Sequence, residues 1–156
     1  MTVYELISQF DIDRPNSVTQ ETKIRWLKDV EMTVMQDVIL KHHPLPKKLI
    51  DFAIKKEQEE EKEEGVVHIG KRRPHFEFMR WFDDWDENKE LLIDSPYTNV
   101  YMDYLDMKTA WSNNEAQRYN AASQMYNASS IGYQQYYNRT YTPNRTKPHY
   151  LDHTRL

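Results

Sequence analysis

The feature that most constrains this chain is a run of apolar residues at helical spacing between Ile24 and Ile39. Ile24, Leu27, Val30, Val34, Met35, Val38 and Ile39 recur at intervals that are mostly three and four. That period lines them along one side of a 3.6-residue helix, whereas a strand would scatter them over two faces. Ser17 or Thr19 is placed to act as N-cap, and Glu21 puts negative charge in the first turn, where the helix dipole favours it. Trp26 lies beside the stripe. Lys41, His42 and His43 read as the closing turn, and Pro44 and Pro46 prevent continuation.

The same period recurs towards both ends. Val3, Leu6, Ile7 and Phe10 predict a short opening helix over 3–10, broken at Arg14-Pro15-Asn16-Ser17. Ser95-Pro96 reads as a helix start, a capping serine followed by proline at the first helical position. Tyr97, Val100, Tyr101, Tyr104, Met107, Lys108 and Trp111 then follow at threes and fours. Ser112-Asn113-Asn114 marks a break or a helix-to-helix turn. Beyond Glu115 the period resumes with Tyr119, Ala122, Tyr126 and Ser129, and Tyr133, Tyr136 and Tyr137 extend it. Ala121, Ala122, Ala128 and Ser129 are small enough to let a neighbouring helix approach closely. Gly132 weakens the helix near its end by roughly 1 kcal/mol relative to alanine.

Residues 44–90 are less regular. Leu49, Ile50, Phe52 and Ala53 begin an apolar face that dies into Lys55-Lys56-Glu57-Gln58-Glu59-Glu60-Glu61-Lys62-Glu63-Glu64, either the exposed half of a helix or a loop. Val66-Val67-His68-Ile69 reads as a strand and Gly70 to Pro74 as a basic turn. Phe76 and Phe78 alternate like a strand, while Phe78, Trp81, Phe82 and Trp85 are spaced like a helix face, a conflict that short runs do not resolve. Leu91-Leu92-Ile93 reads as a short strand. From Thr140 the prolines Pro143 and Pro148 and the low apolar content predict an extended tail, more basic than the body through Arg139, Arg145, Lys147 and Arg155. The fold class expected is therefore mainly α: a compact helical bundle with a small β-hairpin or loop insertion in the middle and an extended C-terminal tail. The domain division is 1–140 for the helical unit, with 44–90 as a charged insertion, and 141–156 for the tail.

Composition narrows the function. With 3 glycines in 156 residues, glycine-built nucleotide loops and turn-rich all-β folds are disfavoured. The absence of cysteine excludes disulfide frameworks, thiolate metal sites and cysteine nucleophiles. A net charge of −4 is poor for a dedicated nucleic-acid binder. The opening Met1-Thr2-Val3-Tyr4-Glu5-Leu6 lacks the basic and apolar regions of a signal peptide, and no window approaches the roughly 20 apolar residues of a membrane span. Synthesis in the cytoplasm and no membrane partner are the expectation, which leaves the glycosylation-type triplets at Asn127, Asn138 and Asn144 without meaning. Aromatic residues reach 13%, with 11 tyrosines, and Tyr and Trp are enriched at protein interfaces.

Each candidate for chemistry fails a stated requirement. Asp84, Asp86, Asn88 and Glu90 alternate like the first half of a calcium loop, but Lys89 stands where the sharp turn needs glycine and Ser95 where a bidentate glutamate belongs. His149 and His153 are four apart but lie after two prolines, and neither they nor His42-His43 have a third or fourth ligand in evident spacing. No serine sits on a glycine-flanked elbow and no phosphate loop exists. No catalytic residue, metal or cofactor is therefore expected. Lys71-Arg72-Arg73-Pro74-His75 is the one compact basic patch. With Trp81 and Trp85 nearby it leaves open an alternative, a small helical nucleic-acid-binding or regulatory protein that stacks bases on aromatic rings. A weaker third reading is a hydrolase using Asp84 and Asp86.

Two stretches point to a known family. Thr22-Lys23-Ile24-Arg25-Trp26-Leu27 follows the Arg14-Pro15-Asn16 break. Leu91-Leu92-Ile93-Asp94-Ser95-Pro96-Tyr97 runs into Val100-Tyr101-Met102-Asp103-Tyr104-Leu105. After it come Asn113-Asn114-Glu115-Ala116-Gln117-Arg118-Tyr119-Asn120, Met125-Tyr126-Asn127-Ala128 and Tyr137-Asn138-Arg139-Thr140. This ordered set resembles the head–tail connector (adaptor) proteins of long-tailed bacteriophages and prophages of Gram-positive bacteria, over residues 1–43 and 91–143; the insertion 44–90 departs from the pattern. The resemblance implies a structural virion protein of the neck, not an enzyme. It implies a homo-oligomeric ring, commonly of twelve copies, below the portal protein. Such a ring extends the DNA channel, lets packaged DNA pass without specific binding, and offers a platform to tail-side connector, stopper or tail proteins. Tyr141, Arg145, Lys147, Tyr150 and Arg155 become the expected portal-docking residues. Tyr101, Tyr104, Trp111, Tyr119 and Tyr126 become the expected ring-packing residues.

Overall fold

A computed structural model of the chain describes residues 1–64 and 78–144. Five α-helices account for most of it: α1 (Val3–Asp13), α2 (Gln20–Asp37), α3 (Lys47–Glu64), α4 (Asn99–Ser112) and α5 (Ala116–Thr140). Two-residue strands, β1 (His42–His43) and β2 (Thr142–Pro143), pair antiparallel, with His42 opposite Pro143 and His43 opposite Thr142. The chain is mainly α, as its periodicity requires. The hairpin expected at 66–74 lies outside the described residues.

Local sequence explains the helix ends. Thr2 caps α1 in a reciprocal box: its hydroxyl accepts from the Glu5 amide while the Glu5 carboxylate accepts from the Thr2 amide. Thr19, not Ser17, caps α2 by accepting from the Thr22 amide. Asn114, at φ 58°, turns the chain between α4 and α5 in the left-handed conformation that asparagine tolerates better than most residues. The charged run after Ala53 is helical, since α3 extends to Glu64.

Val3, Leu6, Ile7 and Phe10 of α1 pack with Leu27, Val30, Val34 and Met35 of α2 and with Val100, Tyr101 and Leu105 of α4 in one core. The α2 stripe is rotated slightly from its sequence reading. Trp26 is in the core at 8% exposure, and Ile24 is only partly buried against it. Phe78, Trp81 and Phe82 resolve their conflict in favour of a helical turn, a 3₁₀ element at Arg80–Phe82 that drives all three rings inward.

Three local expectations are corrected. Ser95-Pro96 does not start a helix: its peptide bond is cis, a turn follows, and α4 begins at Asn99. His42 and His43 do not close α2, which ends at Asp37; after a 3₁₀ turn at Ile39–Lys41 they form β1. Leu91-Leu92-Ile93 is buried but is not a strand. Its amides find other acceptors, Met1 for Leu91, the Glu31 carboxylate for Leu92 and the Tyr101 hydroxyl for Ile93. A buried backbone donor needs a partner, and here side chains replace a neighbouring strand.

Candidate assembly surfaces

The α4–α5 hairpin bears the five residues expected to pack the ring. Arg14 fixes it to α1, bonding Asp103 at 3.3 Å, Asp106 at 3.2 Å and the Met102 carbonyl at 3.2 Å. Asp106 in turn accepts from Arg118 at 2.7 Å, which also reaches Glu115 at 3.1 Å. Asp103 is nearly fully buried. Charged donors such as these offset the desolvation cost of burying a carboxylate.

The five expected ring-packing residues separate into three settings. Tyr101 is fully buried, with its hydroxyl donating to Glu31; it is a core residue and offers no surface to a neighbour, which corrects its assignment. Tyr104 and Tyr126 meet edge-on across α4 and α5 at 5.2 Å, half-buried. Burial pushes the Tyr104 hydroxyl up to about 12. Trp111 and Tyr119 meet at 5.4 Å near the hairpin end, and Trp111 is 66% exposed. They flank a shallow hollow of about 210 Å³ that also involves Ala110 and Ala116. Met125 and Ile131 add exposed apolar surface further along α5.

Helix α5 is unusual for this chain in its lack of charge. Across Ala116–Thr140 only Arg118 and Arg139 are charged, in a sequence with 29% charged residues. Of its 25 residues, Ala122, Tyr133 and Tyr137 are buried. A long uncharged helix face with scattered large apolar side chains has the composition of an interface centre rather than of a solvated surface.

Of the expected tail residues, Tyr141 is described, and Arg145, Lys147, Tyr150 and Arg155 lie outside the described residues. Tyr141 stacks on Tyr137 at 4.2 Å. The tail root is held to the 3₁₀ turn after α2 and to β1. The Asn144 amide donates to Lys41 at 2.7 Å, and its side chain donates to Leu40 at 3.0 Å and lies 2.9 Å from the His43 ring. His42, buried, lies 2.7 Å from both the Val38 carbonyl and the Asn138 side chain.

Two features escaped the sequence reading. Glu31 sits within the α2 stripe, fully buried, accepting from Leu92 at 2.8 Å and from Tyr101. Burial pushes its carboxyl up to about 7, opposed by the donors Tyr101 and Leu92 and by the charge of Lys48. Its place among Leu27, Val34 and Met35 was the available signal. The second is a cleft of about 270 Å³ walled by Tyr97, Tyr133, Tyr136, Tyr137 and Tyr141. The spacing 133, 136/137, 141 marks these rings as one helix face.

The described residues of the alternative readings, Trp81, Trp85, Asp84 and Asp86, are otherwise engaged. Trp81 is 4% exposed and packs against Phe52, with the Lys89 ammonium 4.1 Å from its ring centre, so its faces are not open to a base. Trp85 donates its indole hydrogen to Ile24. The 71–73 turn lies outside the described residues. Asp84 pairs with Lys56 at 3.1 Å and Asp86 accepts from the Asn88 amide. Among the described residues no group of three or more acidic, histidine or cysteine side chains could hold a metal ion, and no helix is long and apolar enough to cross a membrane. Compared with protein-family models, with curated proteins and with solved structures, the chain matches none.

Proposed function

We propose that this protein is a structural subunit of a bacteriophage neck, a head–tail connector that forms a ring below the portal and receives tail-side proteins. The observation that carries the reading is the ordered set of motifs from Leu91 to Thr140, which falls on the α4–α5 hairpin and the segment leading into it. The lack of charge on α5 and the exposure of Trp111, Met125 and Ile131 support it, since a ring subunit must bury such a face against its neighbours. The net charge of −4 also fits, because an acidic channel wall does not hold passing DNA.

In this reading the tail from Tyr141 onwards docks on the portal, and no step of catalysis is involved. The test is co-purification with portal protein, using the full chain and a chain lacking 141–156. The full chain should give a complex whose mass shows several copies per portal ring, and the shortened chain should bind far more weakly. Undiminished portal binding by the shortened chain would overturn the tail assignment. Failure of both chains to bind any portal, with monomers at all concentrations, would overturn the reading itself.

A further inference from the structure

The peptide group between Leu91 and Leu92 is gripped at both ends by charged side chains of two different helices. Its N–H donates to the Glu31 carboxylate of α2 at 2.8 Å, and its carbonyl accepts from the Lys48 ammonium of α3 at 3.1 Å. The second oxygen of Glu31 takes the Tyr101 hydroxyl. Lys48 is 23% exposed and also reaches Glu90 at 3.1 Å and Asp94 at 2.5 Å. A side chain at the edge of the subunit is thus joined to one in its centre through a single conjugated peptide unit.

Helix α3 has few other holds on the subunit. Helix α4 packs along α5, and α2 packs against α1 and α4, whereas α3 has no comparable packing against another helix. Its ties run to the chain between Trp81 and Asp94. Phe52 meets Trp81 edge-on at 5.2 Å, Lys56 pairs with Asp84 at 3.1 Å, and the Lys89 ammonium lies 4.7 Å from the Phe52 ring centre. Leu49 adds a buried apolar side chain. Lys48 is the one of these ties that leads to the buried carboxylate through a shared peptide group.

Negative charge on Glu31 strengthens that tie in two ways. It attracts the Lys48 ammonium directly, and it draws on the Leu92 N–H, which polarises the Leu91 carbonyl into a better acceptor. A proton on Glu31 removes both effects. The titratable groups that act on Glu31 are Tyr101 of α4, Lys48 of α3, Lys89 of the chain beside α3, and Tyr133 of α5. The buried residues of α1 are apolar. Both cations among these groups hold α3 or touch it, and both favour the charged carboxylate. Hydration of that charge on departure of α3 would act in the opposite direction. It is the weaker effect, because both carboxylate oxygens are bonded by α4 and by Leu92, which stay in place when α3 lifts.

We propose that Glu31 and Lys48 are coupled through the Leu91–Leu92 peptide, so that α3 is held more tightly to the subunit when Glu31 is ionised than when it is protonated. The charged stretch 44–90 thereby has a seat whose strength is set from within the core. The coupling belongs to the single subunit and is independent of ring assembly and portal binding. Its direction is opposite to the effect of the same ionisation on the whole fold, which burial of the charge weakens.

Hydrogen exchange resolved by residue separates the two. Amides of Phe52, Ala53 and Ile54 report lifting of α3, and those of Val30 and Leu105 report opening of the core. Between about pH 5.5 and about pH 8.5, after correction for the intrinsic pH dependence of exchange, α3 protection should rise by about tenfold relative to the core. Glu31→Gln keeps an oxygen for Leu92 without the charge and should leave α3 protection flat over that range. Lys48→Met keeps the stem and removes the ammonium. It should lower α3 protection and, by reciprocity, move the Glu31 transition, followed by the carbon-13 shift of its carboxyl, to higher pH. Lys48 is partly exposed, so this variant tests the coupling even if Glu31→Gln does not fold. A merely structural Lys48 would lower α3 protection and leave the Glu31 transition in place. That result, α3 protection that is flat or falls as pH rises, or a rise that survives Glu31→Gln would each overturn the proposal.

Discussion

Tyr101 donates its phenolic hydrogen to the carboxylate of Glu31, and through that one bond α4 is joined to α2 in the centre of the subunit. The same carboxylate takes the Leu92 amide, and the same hydroxyl takes the Ile93 amide at 3.0 Å. Two side chains thus substitute for the strand partner that Leu92 and Ile93 lack. The arrangement fixes the lead-in to the α4–α5 hairpin, so the geometry of the candidate assembly surface depends on a buried polar group rather than on apolar packing alone.

That carboxylate should make stability depend on pH in an unusual direction. Burial raises the Glu31 carboxyl from 4.5 to about 7. A group whose folded value is raised binds its proton more tightly in the folded state. Its contribution is complete below about pH 4.5 and is lost as pH rises through about 7. The size follows from the shift and is on the order of 3 kcal/mol. Chemical denaturation of the protein and of Glu31→Gln across pH 4.5 to 8 should show the difference in stability between them changing by about that amount. A constant difference across the range would refute the assignment.

Tyr101→Phe tests the other partner. Removing the hydroxyl leaves the Ile93 amide without an acceptor and Glu31 without its strongest donor. The cost should be about 1–3 kcal/mol, read as a lowered denaturation midpoint. Because the donor favours the charged form, its loss should also move the Glu31 transition to higher pH. A variant equal in stability to the parent would show that this bond contributes nothing.

The limits of the sequence reading have a physical pattern. Helices α1, α2, α4 and α5 were legible because their apolar residues repeat at the helical period, and the turn at Asn113-Asn114 was legible from residue type. Leu91–Ile93 looked like a strand because a buried apolar run gives no sign of what satisfies its amides; the answer lay 61 residues away in Glu31. His42 and His43 looked like a helix end because their partners, Thr142 and Pro143, are remote in the chain. Tyr101 and Trp111 share one periodic set, yet one is fully buried and the other 66% exposed. Periodicity identifies a helix face but does not tell how far along it a neighbour extends. The tyrosine cleft was hidden for the same reason, since Tyr97 joins it from another element.

The ion network on Arg14 should be a fixed part of the folded subunit. Arg14→Ala removes the donors to Asp103, which is nearly fully buried, and leaves that carboxylate with a desolvation cost that nothing offsets. A loss of about 2 kcal/mol is expected, the worth of hydrogen bonds to a charged group. The double variant Arg14→Ala with Asp103→Ala should recover part of the loss, because the stranded charge is gone. A loss in the double variant equal to the sum of the losses of the Arg14→Ala and Asp103→Ala single variants would show that the two residues do not act as a pair.

Trp111 separates folding from assembly. Its side chain is 66% exposed and its contact is with Tyr119 on the same surface, so Trp111→Ala should change the stability of the single subunit by no more than about 0.5 kcal/mol. In a ring the same side chain would be buried, and an exposed tryptophan at an interface centre is often worth about 2 kcal/mol or more of association. Sedimentation of the subunit with portal protein should therefore show fewer bound copies for Trp111→Ala at equal concentration, with an unchanged unfolding midpoint for the free subunit. Tyr101→Phe should do the reverse, lowering the midpoint while leaving association of the folded fraction intact. A Trp111→Ala subunit that assembles as fully as the parent would remove the α4–α5 hairpin end from the interface and confine ring contacts to the uncharged face further along α5.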